Sequence, residues 1–190
     1  MNIALNQLLL ENRGLHILYP YTDQEEYIRQ SMTFIEEGLA ADEQVIVIDN
    51  EKITAELLQG LKRRYSSDEL NAVHFVNSLF FYRSSGSYKP TAISEYFKET
   101  IQPYTDTNVL FRSWAHVEWS GAEEPHHLIR DCETACEDVI KQYSFPHVCA
   151  YGINRMSKNL AKVLLETHSY VIAKEELAIF HRDSIKEIVT

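Results

Sequence analysis

The segment 111–119 has the side chains best suited to chemistry, in the order Phe-Arg-Ser-Trp-Ala-His-Val-Glu-Trp. Residues two apart share a face when a chain is extended. An extended segment therefore presents a cation, an indole, an imidazole and a carboxylate on one side, from Arg112, Trp114, His116 and Glu118. Such a face can hold a small polar or aromatic ligand. The structural alternative is an Arg112–Glu118 ion pair with tryptophan packing at the end of the sheet.

Two pairs of residues offer acid–base or nucleophilic chemistry. His116 and Glu118 could act as an acid and a base, and Cys149 with His168 as a nucleophile and its base. A nucleophilic cysteine needs a polar cleft that lowers its thiol pKa, whereas Cys149 lies in an apolar run. A buried, inert thiol is therefore favoured there, and His16 is favoured as a packed histidine of the first strand.

Metal ligation is a third chemistry that these residue types allow. The suitable residues are His16, His116, Glu118, Cys149 and His168. None of them forms a short ligand pair such as H-x3-H or C-x2-C, the spacing typical of structural zinc sites. Cys132 and Cys136 are four residues apart, and we expect them on the core face of a helix. The sequence thus predicts neither a metal nor another cofactor.

Alternating apolar runs and amphipathic stretches must position these residues. The apolar runs predict six strands, at 15–19, 45–48, 73–76, 108–114, 147–151 and 170–173. Strands without polar alternation, separated by helices, are typical of a parallel sheet covered on both faces. The sequence therefore predicts one α/β domain, 1–190, with a three-layer α/β/α architecture and a mainly parallel central sheet. Its predicted core spans 14–174, flanked by terminal helical segments at 1–13 and 175–190.

The turn after the first strand excludes a phosphate-binding loop. It reads Tyr-Pro-Tyr-Thr-Asp-Gln-Glu over 19–25, without glycine or lysine, and no Gly-Lys pair occurs anywhere in the chain. A P-loop needs glycines that free backbone N–H groups and a lysine that neutralises phosphate. Acidic residues at this helix start would repel an anion. Tyr19 and Tyr21 instead suit an aromatic or neutral ligand.

The overall charge limits the partners. The chain has 28 acidic and 18 basic residues and a formal net charge of −10, so a nucleic-acid backbone would be repelled. No run approaches the roughly 20 apolar residues of a membrane-spanning helix, and the N-terminus lacks the pattern of a secretory signal. We therefore expect a cytoplasmic protein that binds neither nucleic acid nor membrane.

Several short motifs occur in an order that resembles one protein family. The motifs are Gly-Leu-His-Ile-Leu-Tyr at 14–19, Phe-Ile-Glu-Glu-Gly-Leu at 34–39, Val-Ile-Val-Ile at 45–48, Arg112 with Glu118-Trp119, Glu133, Cys-Ala-Tyr at 149–151, and His168. Together they resemble the MEDS domain, the methanogen/methylotroph, DcmR-type sensory domain, over nearly the whole chain. The resemblance adds Trp119, Glu133 and Tyr151 to the candidate ligand-binding residues.

The resemblance implies a RecA/KaiC-like sheet that has lost its P-loop and serves as a sensory or ligand-binding module. The implied ligand class is a simple hydrocarbon derivative, and the implied partners are signalling proteins such as a kinase or a transcription regulator. We expect a stand-alone, non-catalytic regulatory module, since the chain has no spare length for an output domain. An enzyme and a pure protein-interaction domain with a vestigial pocket are the alternatives, and a homodimer is a further option.

Overall fold

Seven strands form one central sheet in the computed structural model, which describes residues 7–9, 11–83, 88–119, 126–172 and 179–181. The strands are β1 His16–Tyr21, β2 Gln44–Asp49, β3 Val73–Asn77, β4 Phe111–His116, β5 His147–Gly152, β6 Tyr170–Ile172 and β7 Ile179–His181. Their spatial order is β3-β2-β4-β5-β1-β6-β7. The first six strands are parallel, and β7 pairs antiparallel with β6.

Helices connect these strands. They are α1 Gln24–Ala40, α2 Glu51–Leu61, α3 Ser67–Leu70, α4 Ser78–Arg83, α5 Pro90–Asp106, α6 His126–Tyr143 and α7 Lys158–Thr167, with a 3-10 turn at Ile153–Arg155. Residues 7–9 and 11 are also helical, in agreement with the predicted N-terminal helical segment. Among the helices of the described ranges, none is long and apolar enough to cross a membrane.

The sheet separates two apolar cores, as the sequence predicts for a three-layer α/β/α fold. On one face, Ile17, Val45, Val47 and Trp114 pack against α1 and α2. On the other face, alternate residues of the same strands, such as Ile46 and Cys149, pack against α4, α5, α6 and α7. The predicted architecture with a mainly parallel sheet is thereby confirmed.

Local capping starts the helices that border the sheet. Asp23 accepts a hydrogen bond from the Glu26 N–H at 2.8 Å and caps α1. Asn50 and Ser157 cap α2 and α7 in the same way. Each cap satisfies an N–H group that has no partner within its helix.

The prediction for the C-terminal segment differs from the fold. The predicted helix at 175–190 is wrong over Ile179–His181, which form β7 because their backbone pairs with β6. The rest of this predicted helix, residues 175–178 and 182–190, lies outside the described residues.

The parallel arrangement gathers the carboxyl ends of the strands at one edge of the sheet. Asp49 ends β2, His116 ends β4, and Tyr21 ends β1. In open α/β sheets this edge is where ligands normally bind. The fold therefore brings polar residues from three separate strands to the position at which a ligand site is expected.

Two helical glycines provide a matched test of packing at the sheet. A Cβ on Gly38 would lie 2.5 Å from Val45 Cγ2 and 3.0 Å from Arg112 Cδ, whereas a Cβ on Gly60 would lie 2.5 Å from the terminal methyl of Met32. Val45 is held in a central strand, but the Met32 methyl can rotate away. We expect Gly38→Ala to lower the free energy of unfolding by about 1–3 kcal/mol. Gly60→Ala should be neutral or stabilising by up to about 1 kcal/mol.

Urea denaturation of both variants and the wild type measures this difference. Equal changes in the free energy of unfolding of the two alanine variants would contradict this expectation. They would show that the contact between α1 and β2 adapts to a Cβ as easily as the Met32 side chain does.

Candidate functional site

The sheet divides most of the sequence-predicted site residues into two groups on opposite faces. The first group, here the edge cluster, lies at the carboxyl edge on the α1 and α2 side and comprises Tyr21, Tyr27, Asp49, His116 and Glu118. The second group, here the histidine–cysteine cluster, lies beneath α6 and α7 and comprises His16, Glu133, Cys149, Tyr151 and His168. The twelve predicted residues therefore do not converge on a single pocket.

His116 is the centre of the edge cluster. Its Nδ1 lies 2.8 Å from Asp49 Oδ1, and its Nε2 lies 2.6 Å from the Tyr21 hydroxyl. A carboxylate can only accept hydrogen bonds, so His116 donates from Nδ1 and accepts from Tyr21 at Nε2. Asp49 also accepts from the Asn50 N–H at 2.8 Å and from the Tyr27 hydroxyl at 2.5 Å. The fully buried Asp49 is thus satisfied by three donors.

Trp114 supports this cluster from below. Its indole Nε1–H donates to the Tyr27 hydroxyl at 3.0 Å, and its ring packs against Tyr19 and Phe34. Trp114 and Tyr19 are both buried. They therefore shape the base of the edge cluster, and a ligand at the sheet edge would not reach them without a rearrangement.

Glu118 forms the open side of the edge cluster. Its side chain is 38% exposed and lies 3.8 Å from His116 Nδ1. Asn50 Nδ2 and Ser78 Oγ donate to it at 3.2 and 3.5 Å. Burial, together with the Glu118 and Asp49 carboxylates, raises the pKa of Tyr21 to about 12. The local field around the Tyr21 hydroxyl is accordingly negative, which disfavours a phosphate group.

Arg112 has a structural role that the sequence did not reveal. It is fully buried at the amino end of β4, and its Nε donates to Glu43 at 2.5 Å. Glu43 also pairs with Arg13 at 2.6 Å. Four residues of extended chain place Arg112 about 13 Å from His116. The predicted Arg112–Glu118 ion pair is therefore wrong, because Glu43 is the partner of Arg112.

His16 joins the elements of the histidine–cysteine cluster. Its Nε2 lies 3.1 Å from Glu133 Oε2 and 3.3 Å from Cys149 Sγ. Its Nδ1 lies 3.0 Å from Glu137 Oε2, without the alignment of a full hydrogen bond. These three residues, His16, Glu133 and Cys149, come from β1, α6 and β5, and all three are buried.

His168 completes this cluster from the residue after α7. Its Nδ1 donates to the Leu164 carbonyl at 2.9 Å, and its Nε2 lies 3.5 Å from Glu133 Oε2. The His168 ring packs against that of His16, with centroids 3.9 Å apart and an angle of 37° between the ring planes. Tyr151 donates to the other oxygen, Glu133 Oε1.

Electrostatics in this cluster depend on the carboxylates. Burial disfavours a charged His16, but Glu133 and Glu137 outweigh burial and raise the His16 pKa to about 9. Burial opposes ionisation of Glu133, but contacts with His16, His168 and Tyr151 lower its pKa to about 2. Burial, with the charge of His16, lowers the pKa of His168 to about 3.

Neither cluster contains a nucleophile that is deprotonated, and so activated, at neutral pH. Burial and the neighbouring Glu133 raise the pKa of the Cys149 thiol, so it is protonated at neutral pH. The Tyr21 hydroxyl, which an Asp–His pair contacts, is likewise protonated because its pKa is about 12. Within the described part of the chain, two sets of residues have ligand atoms that could hold a metal ion: Asp49, His116 and Glu118, and His16, Glu133, Cys149 and His168.

Sequence reasoning missed Tyr27, Asp49 and Glu43. Asp49 follows the apolar run 45–48 directly, and an acidic residue at the carboxyl end of a buried strand was the available signal. Tyr27 and Glu43 gave no such signal, since their partners are distant in sequence. Trp119 lies apart from the edge cluster, in the opposite core, with the Arg155 guanidinium 4.7 Å from its ring centroid.

Two surface cavities of the described chain lie away from both clusters. One, of about 400 Å³, lies between α1, α2 and Arg64. The other, of about 350 Å³, lies at the amino end of β2 and is lined in part by Glu43 and Tyr65. Neither cavity is lined by a sequence-predicted site residue.

The central sheet with helices on both faces has a RecA-like α/β fold. A crystal structure of the RadB recombinase shares this fold with a TM-score of 0.59 at 14% sequence identity, over 89% of this chain and 79% of that chain. The family model described as MEthanogen/methylotroph, DcmR Sensory domain (MEDS) matches residues 15–169. The chain therefore belongs to the MEDS family of sensory domains, as the resemblance implied. The search of curated proteins gave no match.

The ion pairs of Glu43 predict that two substitutions lower the free energy of unfolding by different amounts. Glu43→Gln leaves two cations without a buried counter-charge and should lower the free energy of unfolding by about 3–5 kcal/mol. Arg112→Met should cost less, because Glu43 keeps Arg13 and because the Arg112 Nη atoms have no hydrogen-bond partner among the described residues. Urea denaturation measures both losses.

The control is the exposed pair of Arg64 and Glu36. Glu36→Gln should change the free energy of unfolding by no more than about 1 kcal/mol. A larger loss for Arg112→Met than for Glu43→Gln would contradict this account of the pair.

Proposed function

We propose that this protein is a non-catalytic sensory module that binds a small neutral ligand at the edge cluster. Family membership supports the sensory role. The observation on which the ligand site rests is the continuous chain of hydrogen bonds from the buried Trp114 through Tyr27, Asp49 and His116 to the half-buried Tyr21. This chain ends at the carboxyl edge of the sheet, where α/β proteins bind ligands.

The hydrogen-bond chain favours a ligand with a polar group. Tyr21 is the outermost member, and a hydroxyl can accept from a ligand while it donates to His116. Glu118 adds an acceptor beside it. A small neutral molecule with a primary amide has two N–H donors and can satisfy both residues, whereas a hydroxyl, as in simple hydrocarbon derivatives, can donate to one of them. Anions are disfavoured by the same carboxylates that raise the pKa of Tyr21.

The absence of an activated nucleophile among the described residues supports a binding role over catalysis. The Asp49–His116–Tyr21 order resembles an acid–base–nucleophile array. A phenol with a pKa of about 12 is nevertheless a poor nucleophile at neutral pH. Cys149 is buried and its thiol pKa is raised.

We propose that ligand binding is communicated through α4 to a protein partner. Ser78, the first residue of α4, donates to Glu118. The next two residues, Leu79 and Phe80, are 58% and 66% exposed. A ligand that competes for Glu118 would release Ser78 and shift the position of these two apolar side chains. A kinase or a transcription regulator is the proposed class of partner.

A thermal-shift screen tests the ligand site. The panel contains short-chain alcohols and amides as neutral compounds, short-chain amines as cationic comparators, and ATP and inorganic phosphate as anionic comparators. We expect a neutral compound at about 100 times its Kd to stabilise the protein by about 2.7 kcal/mol, or roughly 5–10 °C in Tm. Tyr21→Phe and His116→Gln should each abolish most of this shift.

The matched controls are Tyr65→Phe and His74→Gln, which change the same residue types away from the edge cluster. Both should keep the wild-type shift. An undiminished shift in Tyr21→Phe and His116→Gln, or stabilisation by the nucleotide alone, would refute this ligand site.

Hydrogen exchange tests the proposed output. A ligand that stabilises the wild type should change amide exchange in α4 (Ser78–Arg83) as well as at the ends of β1 and β4. Glu118→Gln should keep a hydrogen-bond acceptor near Ser78 but weaken the response. If a ligand stabilises the protein but leaves amide exchange throughout α4 unchanged, the ligand site stands and the proposed path through α4 is refuted.

A further inference from the structure

The histidine–cysteine cluster has the composition and spacing of a metal site, although its residues are far apart in sequence. His16, Glu133, Cys149 and His168 come from β1, α6, β5 and the residue after α7. One ligand atom from each lies within 4.8 Å of the other three. Two imidazoles, a thiol and a carboxyl group suit a borderline divalent ion such as Zn²⁺.

The distances within the cluster match a tetrahedral shell. Zinc bonds of roughly 2.0–2.2 Å to nitrogen and oxygen and about 2.3 Å to sulfur separate tetrahedral ligand atoms by about 3.3–3.6 Å. His16 Nε2 lies 3.1 Å from Glu133 Oε2 and 3.3 Å from Cys149 Sγ. Glu133 Oε2 lies 3.5 Å from both Cys149 Sγ and His168 Nε2. These four separations therefore need to change by only a few tenths of an ångström.

The orientation of His168 calls for a cation at the centre. Its Nδ1–H donates to the Leu164 carbonyl, which can only accept, so the lone pair of the neutral ring is on Nε2. This lone pair faces Glu133 Oε2, another acceptor, and Nε2 has no hydrogen-bond partner in the described chain. A proton on His16 can compensate Glu133, but it leaves His168 Nε2 unsatisfied. A metal ion between them satisfies both.

The surrounding residues supply the outer contacts that metal ligands usually have. A metal-bound histidine generally donates its second ring N–H to a carboxylate or a backbone carbonyl. His168 contacts the Leu164 carbonyl, and His16 Nδ1 lies 3.0 Å from Glu137 Oε2. Tyr151 donates to the free oxygen of Glu133. His168 and Glu133 thus each have a hydrogen-bonded partner, and His16 has a carboxylate within reach of its second ring nitrogen.

We propose that His16, Glu133, Cys149 and His168 bind one divalent transition-metal ion of the zinc type. Binding displaces two protons to solvent, one from the Cys149 thiol and one from His16 Nε2, and the thiolate and the Glu133 carboxylate then neutralise the 2+ charge. Because all four residues are buried and all four positions are protein ligands, the site is a closed structural one. It fastens α6 and the end of α7 to β1 and β5. It lies on the face of the sheet opposite the edge cluster, and it does not depend on the proposed ligand.

Cobalt substitution of the full chain tests the site. The protein is freed of metal with a chelator and titrated with Co²⁺. We expect one Co²⁺ per chain, with the visible absorption of tetrahedral cobalt and a near-ultraviolet thiolate-to-cobalt charge-transfer band. Zn²⁺ added to the cobalt-loaded protein should abolish the cobalt spectrum, and Zn²⁺ added to the metal-free protein should raise Tm.

Three variants separate this site from other metal sites. Cys149→Ser should lose the charge-transfer band, whereas Cys136→Ser, a buried cysteine of α6 outside the cluster, should keep it. Tyr151→Phe leaves all four ligands in place but removes a hydrogen bond to Glu133, and it should weaken metal affinity by about 10–100-fold. The proposal is overturned if metal-free protein shows no thiolate band with Co²⁺, if Cys149→Ser keeps that band, or if Zn²⁺ leaves Tm unchanged.

Discussion

Two buried carboxylates, one on each face of the sheet, impose the constraint on which both sites depend. Asp49 is fully buried on the α1 side, and Glu133 is buried beneath α6 and α7. An ionised carboxylate in a protein interior is costly unless hydrogen bonds or opposite charges compensate it. Asp49 meets this requirement with Tyr27, His116 and a backbone N–H. Glu133 meets it with Tyr151 and the histidines, and both polar clusters follow from these requirements.

The two faces have different accessibility, which separates their proposed roles. The edge cluster ends at a half-buried Tyr21 and a partly exposed Glu118, so small molecules can approach it. The histidine–cysteine cluster is closed by α6 and α7, so it suits a tightly held ion rather than an exchanging ligand.

Much of the fold was predictable because its signals are local. Apolar runs without alternation marked the parallel strands, and glycine and lysine were absent from the first turn. The order of short motifs predicted the MEDS family, which the family comparison confirmed. The shared face of Arg112, Trp114 and His116 was also predictable, because strand alternation depends only on sequence position. The helix predicted at 175–190 is wrong at Ile179–His181, since the pairing of β7 with β6 is a tertiary contact that overrides helical periodicity.

The sequence by itself determined the sheet, the family, the absence of a P-loop and the residue types available for binding. Only the tertiary structure decided which of these residues meet. Arg112 pairs with Glu43, 69 positions away, and His16 meets Cys149 across 133 positions. Such contacts depend on strand order and helix placement, which no local pattern encodes. For the same reason most of the candidate residues named from the sequence form, in the folded protein, two clusters on opposite faces of one sheet.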